Sequence, residues 1–154
     1  MVERSQRGDA GGFLPPVGVV RIVAEEVLST PAELAARCDF PVFVPTYWPE
    51  ECGEPVFGLS VSMLGTDYVV RSADDQHKPM LRVMGSPWRP GANWGEEDFR
   101  PVEGMPWPTL IRRIRPATSV VVKTPDTRVL LFSSLGRDET LAVARSLESM
   151  ALGT

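Results

Sequence analysis

The chain contains one histidine, His77, in the run Asp74-Asp75-Gln76-His77-Lys78. Acid–base or nucleophilic chemistry needs a histidine held by partners in a sheltered site, whereas this polar run reads as an exposed turn. Asp74 and Asp75, or Glu96, Glu97 and Asp98, offer oxygen ligands to a hard cation. Neither run has the alternating acids and glycine of a calcium loop, so both read as solvated turns and no metal is expected. Cys38 and Cys52 fit neither zinc-ligand nor Cys-x-x-C spacing, and are read as two reduced thiols. No Gly-x-Ser-x-Gly elbow, Walker loop or dinucleotide glycine pattern is present. These observations predict a protein that is not an enzyme and takes no cofactor.

The tryptophans carry more information. Trp48, Trp88, Trp94 and Trp107 all sit beside proline or glycine, in Tyr47-Trp48-Pro49, Pro87-Trp88-Arg89-Pro90, Asn93-Trp94-Gly95 and Pro106-Trp107-Pro108. Loop tryptophans either pin a loop to a core or, when exposed, dominate binding hot spots. With Arg89 and Arg100 as anchoring charges, they form the candidate binding set. A second basic segment, Arg112, Arg113 and Arg115 with Leu110, Ile111 and Ile114, offers contact to an acidic partner but reads more simply as a half-buried strand paired with the acidic runs.

The elements that must position these residues follow from pattern. At 154 residues, 43% hydrophobic and 23% charged, the chain suits one domain with its own core. A net charge of −4 argues against nucleic acid as partner. No run is long and apolar enough to span a bilayer, and Met1 to Gly12 lacks a signal-like apolar centre, so a cytoplasmic location is expected. Arg far outnumbers Lys, a bias of GC-rich coding without mechanistic content.

Residues 1–14 read as a flexible lead-in and 15–154 as a single domain. Val19, Val20, Val23 and Val27 fall at helical spacing, with Arg21 and Glu25 four apart, which predicts a helix over 17–28 against the β-branched bias of the run. Thr30, Pro31 and Glu33 spell a capping box for a helix through Arg37. Phe40 to Pro45 places prolines around an apolar alternation and predicts an extended edge segment. Strands are expected over 56–63, 67–71 and 80–84, the first two a hairpin about Gly65-Thr66. A long loop follows from Gly85 to Pro108, with room for a short strand at 99–102. Thr109 to Arg115, Thr118 to Lys123 and Thr127 to Ser133 complete the strands, the last two turning at Thr124-Pro125-Asp126. A terminal helix after Gly136, capped by Asp138, would bury Leu141, Ala144, Leu147 and Ala151. The predicted fold class is α+β: a curved antiparallel sheet with helices at both chain ends packed on one face.

Ala35-Ala36-Arg37-Cys38-Asp39-Phe40-Pro41-Val42-Phe43-Val44-Pro45-Thr46-Tyr47-Trp48-Pro49 resembles the opening signature of a domain of unknown function found as the extracytoplasmic tail of some anti-sigma factors. The last helix, Asp138 to Leu147, resembles that family's closing helix. The two stretches cover about a third of the chain. The resemblance implies a half-barrel sheet related to lipoprotein-carrier domains, with a sensing or protein-contacting role. The chain departs from the family in having no membrane anchor or sigma-binding segment before the domain, and in its Trp-rich loop. The combined expectation is a non-catalytic binding module for a protein or a small apolar ligand. The alternatives are a structural or regulatory subunit of a larger complex, self-associating through the Pro41 to Val44 edge as a homodimer, and an enzyme whose scattered residues only the fold brings together.

Overall fold

In the computed structural model, residues 22–62, 65–88 and 95–150 are described. The expected lead-in over 1–14, the start of order near Pro15, Ala151, and the candidate site residues Arg89 and Trp94 lie outside them.

The first described element is a strand, β1 (Ile22–Leu28), and not the expected helix. Ile22, Val23 and Val27 lose side-chain freedom in a helix and fit a pleated sheet. Pairing with β3 (Val56–Ser62) outweighs the few tenths of a kcal/mol (about 0.4) that an Arg21–Glu25 helical pair would add. Glu25 spends its carboxylate across the sheet on Arg71 instead. Among the described residues, the first helix, α1 (Pro31–Arg37), lies between two strands.

The α1 capping box forms as read. Thr30 Oγ1 accepts from Glu33 N–H at 3.3 Å, and Glu33 Oε1 accepts from Thr30 N–H at 3.1 Å. After α1 come β2 (Phe43–Pro45), a single 3-10 turn at Glu50–Cys52, then β3, β4 (Gly65–Arg71) and β5 (Leu81–Pro87). The β3–β4 hairpin forms, but Gly65 and Thr66 are its first paired residues on β4 and not its turn. Then follow β6 (Arg100–Val102), β7 (Thr109–Ile114), β8 (Ala117–Lys123) and β9 (Thr127–Ser133). The α2 helix (Arg137–Arg145) is capped by Gly136, not Asp138, and ends at Ser146. Leu147 consequently belongs to a last strand, β10 (Leu147–Ser149), instead of the helical stripe.

Eight strands make one antiparallel sheet in the order β1-β3-β4-β5-β9-β8-β7-β6, while β2 and β10 pair separately. Two meanders, β3-β4-β5 and β6-β7-β8-β9, thus meet along β5 and β9. The chain leaving β5 must reach the far edge, four strand spacings or about 19 Å away, before meandering back. That distance accounts for the long connection between Pro87 and Arg100.

Alternation sorts the sheet into two faces. Leu59, Tyr68, Val70, Leu81, Val83, Val120, Val122, Val129 and Leu131 form one core with residues of α1, β2 and α2. Val69, Val121, Met84 and Leu130 occupy the intervening positions and belong to the opposite face. Sheet-dominated α+β architecture is the result, and no helix among the described residues is long and apolar enough to cross a membrane.

Candidate functional site

The core face is closed by its own side chains. Tyr68, fully buried, lies across Gly85 on the neighbouring strand, and a Cβ at Gly85 would stand 1.9 Å from Tyr68 Cε2. Glycine there is what admits the ring. The Tyr68 hydroxyl accepts from Phe43 N–H at 2.9 Å and donates to Phe43 O at 2.7 Å. Burial pushes the phenol well above its usual range, so it stays neutral and fills both roles.

The same contacts settle the fate of the expected edge at Pro41 to Val44. Along one side β2 pairs with β10, and Met150 N–H donates to Val42 O at 2.8 Å. On the other side, Tyr68 holds both polar groups of Phe43, and Thr127 Oγ1 donates to Pro41 O at 2.6 Å. Pro41 and Pro45 carry no N–H. This segment therefore has no free ladder to offer a second copy, and self-association through it is withdrawn.

The tryptophans divide by role. Trp48 Nε1 donates to Gly53 O at 2.8 Å, and its half-buried ring packs on the core. Trp107 also packs on the core and meets Phe43 edge-to-face, with ring centroids 6.0 Å apart. Trp88 is more open, 37% exposed, and its Nε1 donates to Thr124 O at 2.8 Å. Lys123 N–H donates to Pro108 O at 2.9 Å, beside Trp107. Trp88 and Trp107, far apart in sequence, are thus both fastened to the end of the β8–β9 hairpin. Arg100, at the start of β6, is exposed opposite Ile111.

On the opposite face, Glu96 anchors the described end of the β5–β6 connection. Its Oε1 lies 2.6 Å from Lys123 Nζ and its Oε2 2.8 Å from Arg128 Nε. Burial tends to raise the Glu96 pKa, but the two cationic donors prevail and hold it below the usual carboxylate range. Three residues on, Phe99 lies under the Arg112 guanidinium, 4.8 Å from ring centroid to Cζ. Arg112 therefore stacks on an aromatic ring, while Arg113 and Arg115 are exposed; none forms an ion pair with the acidic runs among the described residues. At the other edge, Glu25 Oε2 accepts from Arg71 Nε and Nη2 at 3.1 and 2.9 Å, and its Oε1 lies 3.8 Å from Arg82 Nη2. One carboxylate thereby relieves the repulsion of two arginines paired across β4 and β5.

The groups that could do chemistry are not brought together. His77 lies on the exposed β4–β5 connection, which borders an open cleft of 880 Å³. Asp75 there is spent on the turn itself, its Oδ1 accepting from His77 N–H at 2.9 Å. Cys38 borders a smaller recess of 390 Å³ with Asp39, Thr66 and Pro87. Burial, with the Asp39 and Asp67 carboxylates adding to it, pushes the Cys38 thiol up to about 11, which keeps it protonated at neutral pH. Cys52 is likewise buried, and both cysteines are free thiols. No group of three metal-ligating side chains occurs among the described residues.

Sequence reasoning missed Tyr68, Thr127 and Glu96 as organising residues, and Arg82 and Phe132 as surface residues. Strand alternation marks Arg128, Leu130 and Phe132 as one face, but it does not say which face the helices cover. Comparison of the chain with protein-family models, with curated proteins and with solved structures finds no match in any of the three.

Proposed function

We propose that the chain is a non-catalytic binding module for a protein partner. One observation carries this reading: the core face is already occupied by Tyr68 seated over Gly85 and by the strip at 41–45. A small apolar ligand needs a concave, largely apolar pocket, and the described clefts are open and bordered by charged residues. Contact with a partner falls instead to the β5–β6 connection and to the sheet. Trp88, Arg89, Trp94 and Arg100 are the proposed contact residues, while Trp48 and Trp107 pin their own loops to the core.

The buried free thiols Cys38 and Cys52 are compatible with a reducing, cytoplasmic setting. Kinship with the anti-sigma tail domain, and the curved half-barrel sheet it implies, belong to the same proposal, with which an eight-stranded antiparallel sheet is compatible.

The test is quantitative affinity capture with wild type and Trp88→Ala as baits, alongside titration with a fluorescent fatty acid. A partner enriched by wild type and lost with an equally stable Trp88→Ala supports the reading. Saturable fatty-acid binding, or full retention of every enriched partner by Trp88→Ala, overturns it.

A further inference from the structure

On the face away from the helices, Arg82, Phe132, Ser119 and Arg112 stand in register on β5, β9, β8 and β7. This row spans three strand spacings, about 14 Å. Ile114, two residues beyond Arg112 on the same face, extends it to the sheet's end. The apolar members are open to solvent, Phe132 at 38% and Ile114 at 62%. The flanking cations also keep donor capacity. Among the described residues Arg82 makes the 3.8 Å approach to Glu25 and no closer ion pair; its Nε is buried, but its side chain is 40% exposed. Arg112 has the Phe99 ring as neighbour and no carboxylate among the described residues.

Other arginines on this face are differently placed. Arg71 commits Nε and Nη2 to Glu25 and Nη1 to Ser72 O at 3.2 Å, and Arg128 is 7% exposed against Glu96. Unspent positive charge on this face is therefore concentrated at Arg82 and Arg112, in a chain whose net charge is −4.

We propose that Arg82, Phe132 and Arg112, with Ile114, dock an acidic protein segment that also carries an apolar side chain. Two arginines on strands about 14 Å apart suit carboxylates on one extended segment, with Phe132 between them for its apolar residue. A long polyanion fits less well, because the acidic runs at 74–75 and 96–98 would repel charge extending past the row. The proposal rests on the protein-binding reading and assigns it a partner chemistry. It places this contact away from Trp88, since Phe132 lies five residues along β9 from Thr127, at the strand end near Thr124, or about 17 Å.

The experiment is fluorescence anisotropy of the full chain with a labelled peptide of alternating glutamate and leucine. A glutamine-for-glutamate peptide and a single-stranded oligonucleotide serve as comparison probes. Expected are saturable binding of the acidic peptide, weakening with salt, and about a tenfold loss with Arg112→Gln and with Phe132→Ala. Both positions are on the surface, and thermal midpoints near the wild-type value confirm that each variant is folded. Should Arg112→Gln fail to fold, Phe132→Ala decides alone. Absent binding, equal binding of the glutamine peptide, preference for the oligonucleotide, or indifference to both variants each overturns the proposal. Loss of peptide binding with Trp88→Ala but not Arg112→Gln sinks the arginine row and leaves the protein-binding reading standing. Failure of the peptide together with a partner that still depends on Trp88 has the same meaning.

Discussion

The two faces of the main sheet are built on different principles. On the core face, polar groups are few, buried and paired one to one: Tyr68 with Phe43, Thr127 with Pro41, Ser133 Oγ with Thr140 Oγ1 at 2.6 Å. On the other face, charges are shared: Glu25 serves two arginines and Glu96 serves a lysine and an arginine. A face of one-to-one buried pairs tolerates no loss, because each removed partner strands another group without water. A face of shared ion pairs next to solvent tolerates substitution and keeps donors for a visitor. Under the proposed docking role, stability and recognition would lie on opposite sides of one sheet.

The sharpest break of this comparison is Gly85→Ala. The added methyl would lie inside the Tyr68 ring, so the ring must leave the core or β5 must move. We expect a loss of about 3 kcal/mol or more, with Phe43 detached from the sheet. Urea unfolding measures the loss, and an increased exchange rate of the Phe43 amide reports the detachment. Phe132→Ala, on the opposite face, should change stability by less than about 0.5 kcal/mol in the same assay. Similar costs at the two positions would show that the faces are not energetically distinct.

Tyr68→Phe keeps the ring over Gly85 and deletes only the hydroxyl. Phe43 N–H and C=O are then buried without partners, at a cost of about 2–4 kcal/mol. Denaturant unfolding should show this loss, whereas a deficit below about 1 kcal/mol would mean that water or a backbone shift replaces the hydroxyl.

Trp107→Ala tests the loop's attachment to the core. Loss of the edge-to-face contact with Phe43 and of half-buried ring area should cost about 2 kcal/mol. Trp88→Ala should cost less, since Trp88 is more exposed and holds Thr124 through one hydrogen bond. Acrylamide quenching sharpens the contrast: Trp88→Phe should remove a readily quenched emission component and Trp107→Phe a protected one.

How much of this was legible in the sequence depends on whether the signal was local. The α1 capping box, the β8–β9 hairpin and the short strand at Arg100 are written in adjacent residues, and each forms where its residues predict. The β1 segment carried both a helical spacing and a β-branched bias, and only the partner strand β3, some thirty residues away, decides between them. Gly136 replaces Asp138 as the α2 cap because Thr140 Oγ1 and N–H both reach back to Gly136 O, at 2.8 and 3.1 Å, starting the helix earlier. The edge at Pro41 to Val44 was correctly read as extended, yet its closure depends on Tyr68 and Thr127, which no spacing in the sequence links to it. Among the candidate tryptophans, proline and glycine neighbours gave the loop setting but not the exposure, which is set by where the loop lands on the β8–β9 hairpin.

The smallest effect concerns the charged face and distinguishes shared ion pairs from simple surface charge. The Glu96 carboxyl is held below the usual range by Lys123 and Arg128, so its folded pKa lies below its unfolded one. The unfolded chain then binds the proton first as pH falls. The stabilisation from Glu96 is fully present above the unfolded value and disappears as pH drops through the folded value. Glu96→Gln should therefore cost about 1 kcal/mol near pH 7 and progressively less at an acid pH below the lowered folded value, where wild type too loses the charge. Urea unfolding of both proteins at the two pH values measures the difference. A cost that persists in acid would show that Glu96 acts through packing over β8 and β9 and not through charge. The Phe99–Arg112 contact lies three residues along from the same anchor. If Glu96 holds the 95–99 segment in place, neutralising it should also broaden the Phe99 ring resonances at neutral pH, before any global unfolding.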